Sequence, residues 1–139
     1  MKKTIKSVMA MALALVLTAS SLGGTALAAS SESGSIDGCS WSARVTKTTS
    51  SATATTKITG ATNAYVDAAV EVYYWLGRVH YYTPASDSQT NGYAVATAYK
   101  QLGGAEVEGG MGEHTIFYHD TAKSCATFTG DIPSNPTRA

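Results

Sequence analysis

The sequence predicts an all-β protein, a small antiparallel β-sandwich or flattened barrel of six or seven strands. Apolar and polar residues alternate with period two through most of the chain, as half-buried strands require. Clusters of Gly, Pro, Ser, Asp and Asn separate the alternating runs and are typical of turns. Downstream of the N-terminal segment, no run shows the three-to-four spacing of an amphipathic helix. Short strands, short turns and no helix together favour two packed β-layers.

The N-terminus has the pattern of a secretory signal peptide. Three lysines within the first six residues precede an apolar run over residues 8 to 17, and Ala26-Leu27-Ala28 provides a small-x-small cleavage site. We therefore expect a signal peptide over residues 1–28, cleavage between Ala28 and Ala29, and a secreted, extracellular protein. The apolar run is shorter than the ~20 residues that a spanning helix needs. No transmembrane segment is expected in the mature chain.

Cleavage leaves 139 − 28 = 111 residues, enough for one domain with its own core. The expected organisation is a flexible tail over 29–38, a single β domain over 39–130 and a flexible tail over 131–139. Because three of the ten basic residues lie in the signal peptide, seven basic residues remain against ten acidic ones. The resulting net charge of about −3, together with the scattered positions of the basic residues, argues against a nucleic acid partner.

The mature chain has two cysteines, Cys39 and Cys125. An even count in an exported protein predicts a disulfide, which would join the first strand to the last. A redox-active pair would need close Cys-x-x-Cys spacing, which is absent.

The first strand is predicted at CSWSARVTK, and its core side consists of alternate residues: Cys39, Trp41, Ala43 and Val45. The Thr-rich stretch that follows, residues 46 to 62, has a composition that also fits a glycosylated stalk or a linker. Its alternation favours two strand segments flanking a turn at Ser50-Ser51.

The stretch YVDAAVEVYYWLGRVHYY, residues 65 to 82, predicts a hairpin. The Gly77-Arg78 pair suits a two-residue turn whose first position has positive φ. The turn sets the register by pairing positions symmetrically on either side of it. Core-facing pairs are Leu76 with Val79 and Tyr74 with Tyr81; pairs on the opposite face are Trp75 with His80 and Tyr73 with Tyr82.

Later elements follow from the same signals. TPASDSQTNG, residues 83 to 92, is predicted as a loop and GYAVATAYKQ as a strand. A run from AEVE to HTIFYHD, interrupted by glycines, is predicted as one long kinked strand or as two. A hairpin turn at HDTAKS then leads into a last strand, CATFTG.

The outward face of the 65–82 hairpin is the candidate binding site. It consists of four ring-bearing residues and two acids: Tyr73, Trp75, His80, Tyr82, Glu71 and Asp67. Flat rings beside carboxylates suit sugars, which stack on the rings and donate hydroxyl hydrogens to the acids. The alternative is that the aromatic pairs only stabilise the ribbon, or that a loop covers them.

Searches for catalytic and metal motifs are negative. Gly-x-Ser-x-Gly does not occur, and no glycine-rich loop precedes a helix. His114 and His119 are five residues apart and point oppositely on a regular strand, so no metal site is predicted. Glu106 and Glu108 share a strand face, which is typical of a solvated surface and not of a hydrolase cleft. We therefore expect no enzyme activity and no cofactor.

The segments SATATTK, VDAAVEVYYW, GYAVATAY and EHTIFYHD give the chain a layout that resembles small secreted Ser/Thr-rich β-sandwich proteins of Gram-positive bacteria. The resemblance implies a fold and an extracellular location, and no activity. Three functions stay open: a binding or surface-interaction module for a glycan, cell-wall or protein ligand; a bacteriocin-like or membrane-active toxin; and a small hydrolase.

Overall fold

The computed structural model describes residues 30–139. The predicted signal peptide and its cleavage site between Ala28 and Ala29 lie outside the described residues. Nine β-strands follow in chain order: β1 Ser31–Ile36, β2 Cys39–Lys47, β3 Ser51–Thr59, β4 Tyr65–Leu76, β5 Val79–Gln89, β6 Tyr93–Tyr99, β7 Glu106–Tyr118, β8 Thr121–Gly130 and β9 Thr137–Arg138.

The strands form two open sheets packed face to face, which confirms the predicted all-β sandwich. The four-stranded sheet has the order β1-β2-β3-β6, and the five-stranded sheet has the order β8-β7-β4-β5-β9. Every pairing is antiparallel except that of β9, which runs parallel to β5.

The core lies between the sheets and is built by alternation. In β4 the even-numbered residues from Val66 to Tyr74 are fully buried, and in β3 and β6 small residues such as Ala54 and Ala96 face them. Small side chains on one sheet opposite Val and Tyr on the other let the two layers interdigitate. The threonine-rich stretch is therefore strand and not linker.

The β4–β5 hairpin has the predicted register. Trp75 pairs with His80 and Tyr73 with Tyr82 across a turn at Gly77-Arg78, where Gly77 has a φ of 66°. The glycine-interrupted run is one long strand, β7, with a register shift opposite Tyr73 and Tyr74. That shift is the bulge that the glycines favour.

Three segments predicted to lack structure form strands. Residues 31–36 pair along their whole length with β2, so the expected N-terminal tail is an edge strand. The predicted loop at 83–92 mostly belongs to β5. Pro84 of β5 has no backbone N–H to donate. It is tolerated because β9 pairs with the outer edge of β5 only at Tyr81 and Tyr82, so no neighbouring strand requires a donor at position 84. The expected C-terminal tail crosses the five-stranded sheet and ends in β9.

The predicted disulfide is wrong, since Cys39 and Cys125 are free thiols that lie apart. Cys39 pairs with Ile36 of β1, whereas Cys125 lies beside Glu32 of the same strand. Four residues of extended chain span roughly 13 Å, well beyond the Cα separation that a disulfide allows. Burial, together with the Glu32 carboxylate, raises the pKa of the Cys125 thiol to about 12.

The described part of the chain contains no helix with the length and hydrophobicity needed to span a bilayer.

Candidate functional site

The predicted site residues all lie on the outer face of the five-stranded sheet, as the alternation requires. Their neighbours there come from β7 and β8 on one side and from β9 on the other. We call this surface the aromatic face: the outward side chains of β4, β5 and β7. The fold places the six residues on one face without bringing them into one cluster.

Trp75 is the exposed ring of the aromatic face, with 40% of its surface accessible. It lies between His80 on β5 and Glu106 on β7. The Nδ1 of His80 lies 2.7 Å from Oε2 of Glu108, so the imidazole N–H donates to that carboxylate. This bond connects β5 to the bulge in β7 and fixes the ring beside the tryptophan.

The chain after β8 crosses the aromatic face; we call this segment, residues 131–136, the C-terminal strap. Its backbone lies against Gly109, where an added Cβ would come within 3 Å of Asp131 backbone atoms. The strap then passes His80 and reaches the far edge of β5. Since Gly109 has no side chain, the strap can approach the sheet closely there.

A cavity of about 280 Å³ lies between the strap and the sheet. Its lining combines one imidazole and two carboxylates with strap residues: His80, Glu108, Asp131, Ile132, Pro133, Ser134 and Asn135. Trp75 is the cross-strand neighbour of His80, so its exposed ring lies next to this cavity. A flat apolar surface thus adjoins a small polar recess, an arrangement suited to a ligand with one apolar face and several hydroxyl groups.

Tyr73 does not belong to the exposed surface. Only 1% of its surface is accessible, and its hydroxyl donates to a carboxylate oxygen of Glu71. Tyr82 is half-buried against it, with the ring centroids 6.3 Å apart. The strap crosses the face at Gly109, the cross-strand partner of Tyr73, so the burial of this ring agrees with the alternative in which a segment covers the aromatic pair.

The two predicted acids lie far from Trp75. Glu71 lies four positions before Trp75 and Asp67 lies eight positions before it, which corresponds to roughly 13 Å and 26 Å along β4. Asp67 accepts a hydrogen bond of 2.5 Å from the Ser88 hydroxyl. One monosaccharide at the tryptophan could not reach either acid.

Glu113 joins these two acids to form a second group on the aromatic face. It lies opposite Ala69, the β4 residue midway between Asp67 and Glu71. Burial raises its pKa to about 8, and the nearby charges of Glu71 and Asp67 act in the same direction. Its Oε1 atom is buried and has no hydrogen-bond partner within residues 30–139. Burial and the neighbouring carboxylates therefore favour the protonated form of Glu113, which can donate a hydrogen bond.

Glu71 and Asp67 respond to burial in the same sense. Burial raises the pKa of Glu71, while the hydrogen bond from Tyr73 and the nearby Arg138 charge oppose that rise. Burial also raises the pKa of Asp67, opposed by its bond from Ser88. Within the described chain, no group of three or more His, Cys, Asp or Glu side chains has the geometry of a metal site.

Sequence reasoning missed Glu108, Glu113 and the strap. Glu108 was expected on a solvated surface, and the β7 bulge instead brings it to His80. Glu113 lies on the outward face opposite two small residues, Ala69 and Ala126, which indicates a carboxyl group close to the acids of β4. This signal requires the strand register, which the sequence did not provide for β7. The strap carries Pro133 and Pro136, which concealed its ordered path.

The two packed sheets define a small all-β sandwich protein with a strap across one face. A scan against protein-family models and searches of curated proteins and of solved structures each find no match for this chain.

Proposed function

We propose that the protein is a secreted carbohydrate-binding module whose site is the cavity beside Trp75. The observation that carries the proposal is the exposed indole ring next to a polar recess that contains the His80–Glu108 pair. Sugars present an apolar C–H face and a rim of hydroxyl groups, and this site offers a partner for each. The cavity matches the scale of a single sugar ring, so a polymer would be held through one unit at this point.

The rigid setting of the site supports recognition. Trp75 and His80 lie on paired strands close to a two-residue turn, which limits their freedom before a ligand binds. Binding to a preformed site avoids the entropy cost of ordering a loop. The Glu113 group, where a protonated carboxyl lies near carboxylates, offers hydrogen-bond donors and acceptors further along the same face for an extended glycan.

The proposal is tested with Trp75→Ala and a matched control. Tyr99 is also exposed, at 58%, but lies on the four-stranded sheet, so Tyr99→Ala removes a comparable ring away from the site. Affinity electrophoresis through gels that contain soluble cellulose, chitin or cell-wall polysaccharides should show at least a tenfold loss for Trp75→Ala. The control should bind like wild type. Both melting temperatures should change little, because exposed side chains contribute little to stability.

Three outcomes would count against this function. Equal losses in the two variants, a large drop in melting temperature for Trp75→Ala, or retention on no polysaccharide would each contradict it. Release of new reducing ends from the polymers would identify a small hydrolase instead. The protein should be recovered from the culture medium of the expressing bacterium, where its mass shows whether the mature chain begins at Ala29.

A further inference from the structure

A second cavity lies at the edge of the sandwich, between β1, β2 and the end of β8. Its volume is about 380 Å³. The lining contains two cations and four hydroxyl side chains and no acid: Ser30, Ser31, Arg44, Val45, Thr46, Lys47 and Thr129. It shares no residue with the cavity beside Trp75, so it is a separate feature of the fold.

The two cations have no acidic partner in the described structure. Residues 30–139 contain two ion pairs, and both use histidines, so neither Arg44 nor Lys47 is neutralised by a carboxylate there. Glu32 is adjacent to Ser31 in the chain, but its carboxylate lies beside the Cys125 thiol. The cavity thus holds two positive charges together with hydroxyl donors.

The surface next to the cavity extends the same chemistry. The outward side chains of the four-stranded sheet are mostly Ser and Thr and include no Asp or Glu. Thr53 and Thr97 bond to each other across two strands at 2.9 Å, and Lys57 lies diagonal to Arg44 on the neighbouring strand. We call this surface the hydroxyl face. It contrasts with the aromatic face, which carries Asp67, Glu71 and Glu113.

We infer that the cavity between β1, β2 and β8 binds an anionic group of an acidic polysaccharide whose chain runs over the hydroxyl face toward Lys57. Arg and Lys recognise phosphate, sulfate and carboxylate groups through charge-assisted hydrogen bonds. Ser and Thr hydroxyls donate to the same oxygens and also bond to sugar hydroxyls. A neutral glycan would leave both cations without a counter-charge. A nucleic acid would instead need stacking surfaces beside its phosphates, and the hydroxyl face has exposed rings only on its β6 edge strand, at Tyr93 and Tyr99.

The test compares two double variants that lose equal charge. Arg44→Ser/Lys47→Ser removes the cavity cations, and Arg78→Ser/Lys123→Ser removes two exposed cations located elsewhere. Isothermal titration with dextran sulfate and with polygalacturonate should show at least a tenfold loss of affinity for the first variant. The second should stay within twofold of wild type. Lys57→Ser should lose severalfold for the polymers and nothing for inorganic sulfate, because only a polymer reaches that residue.

Further measurements distinguish between the possible ligands. Binding of dextran sulfate alone or of polygalacturonate alone assigns sulfate or carboxylate as the group that is recognised, and both outcomes support the inference. Raising NaCl from 0.05 to 0.5 M should weaken binding roughly tenfold or more, as expected when about two counterions are released. Equal binding of neutral dextran, tighter binding of a single-stranded oligonucleotide, or equal losses in the two double variants would overturn the inference. Trp75→Ala should leave dextran sulfate binding unchanged, so the two proposed sites are tested independently.

Discussion

At the scale of single residues, the most constrained group is a histidine inside the sandwich. His114 is 2% exposed and lies between the hydroxyls of Thr56 and Thr127, each 2.8 Å from a ring nitrogen. Thr56 donates its hydroxyl hydrogen to the carbonyl of Asp67, so its oxygen accepts from the Nδ1–H of the ring. Thr127 then donates to Nε2. The ring is therefore neutral, and the three side chains tie the two sheets together.

This burial makes stability depend on pH. Burial lowers the pKa of His114 from 6.5 to about 4, so between these values the unfolded chain binds a proton that the folded chain does not. The stabilisation is fully present above pH 6.5 and is lost as the pH falls toward 4, by about 3 kcal/mol in total. Urea unfolding should therefore show that the difference between wild type and His114→Gln shrinks by this amount from pH 7 to pH 4.

The control for this prediction is Gly103→Ala, a substitution that changes no titratable group and whose added Cβ would meet no atom within 4 Å. Its difference from wild type should stay constant over the same pH range. Glu113 changes the free energy of unfolding with pH in the opposite direction to His114, because its raised pKa makes the folded protein less stable as the pH rises toward 8. The contribution of Glu113 is the same in wild type and in each variant, so it cancels when their free energies of unfolding are compared at the same pH. A His114→Gln difference that does not change with pH would show that the folded ring can be protonated at no cost.

At the scale of elements, the C-terminal strap decides which part of the aromatic face a ligand can reach. It crosses the sheet at Gly109, the cross-strand partner of the buried Tyr73, and leaves Trp75 exposed. It is anchored by the Asp131 amide, which donates to the Glu108 carbonyl, by two ladder residues of β9, and by the bond from the Ala139 amide to the Tyr82 carbonyl. The strap also pairs part of the β5 edge, which would otherwise be open to another chain. The nine residues 131–139, which comprise the strap, β9 and Ala139, thus line the cavity and cover part of the β5 edge.

Deleting residues 131–139 should expose Tyr73 and lower the free energy of unfolding by roughly 1–3 kcal/mol, the scale for one large buried side chain. Second-derivative absorbance should detect one additional solvent-exposed tyrosine, and urea unfolding should measure the loss. Deleting only 137–139 removes β9 but keeps the crossing over Gly109, so Tyr73 should stay buried. If the longer deletion left the tyrosine spectrum unchanged, neighbouring strands and not the strap would bury this ring.

At the scale of the whole molecule, the distance between the sheets depends on small residues that face each other. A Cβ placed on Gly110 would lie 2.7 Å from the Cβ of Ala52, and one on Gly112 would lie 3.2 Å from the Cβ of Ala54, both on the opposite sheet. No side chain can be added at these positions without moving one sheet away from the other. The glycines of β7 thus serve the packing of the core as well as the bulge.

Gly110→Ala should lower the free energy of unfolding by about 1–3 kcal/mol, because overpacking forces backbone shifts in a close-packed core. Adding Ala52→Gly removes the opposing Cβ, and the double variant should be more stable than Gly110→Ala alone. Gly103→Ala is the control, since its Cβ would meet no atom within 4 Å and should change stability by less than about 0.5 kcal/mol. A double variant less stable than the single one would mean that the sheets do not meet at this contact.

The sequence by itself determined strands β2, β3, β4, β6, β7 and β8 and the β4–β5 register, because these depend on alternation and on one turn at Gly77-Arg78. The inward face of the hairpin was predicted correctly at Tyr74, whereas Leu76 and Val79, which were predicted to face the core, are exposed. Local signals did not reveal β1, the strap or the separation of the cysteines. Each of these depends on contacts between residues distant in the chain. Placing Glu108 beside His80, and Lys47 of β2 beside Thr129 of β8 in a cavity, likewise required the bulge and the packing of the sheets. Period-two patterns state which way a side chain points, whereas only the tertiary structure brings side chains from different strands together around a ligand.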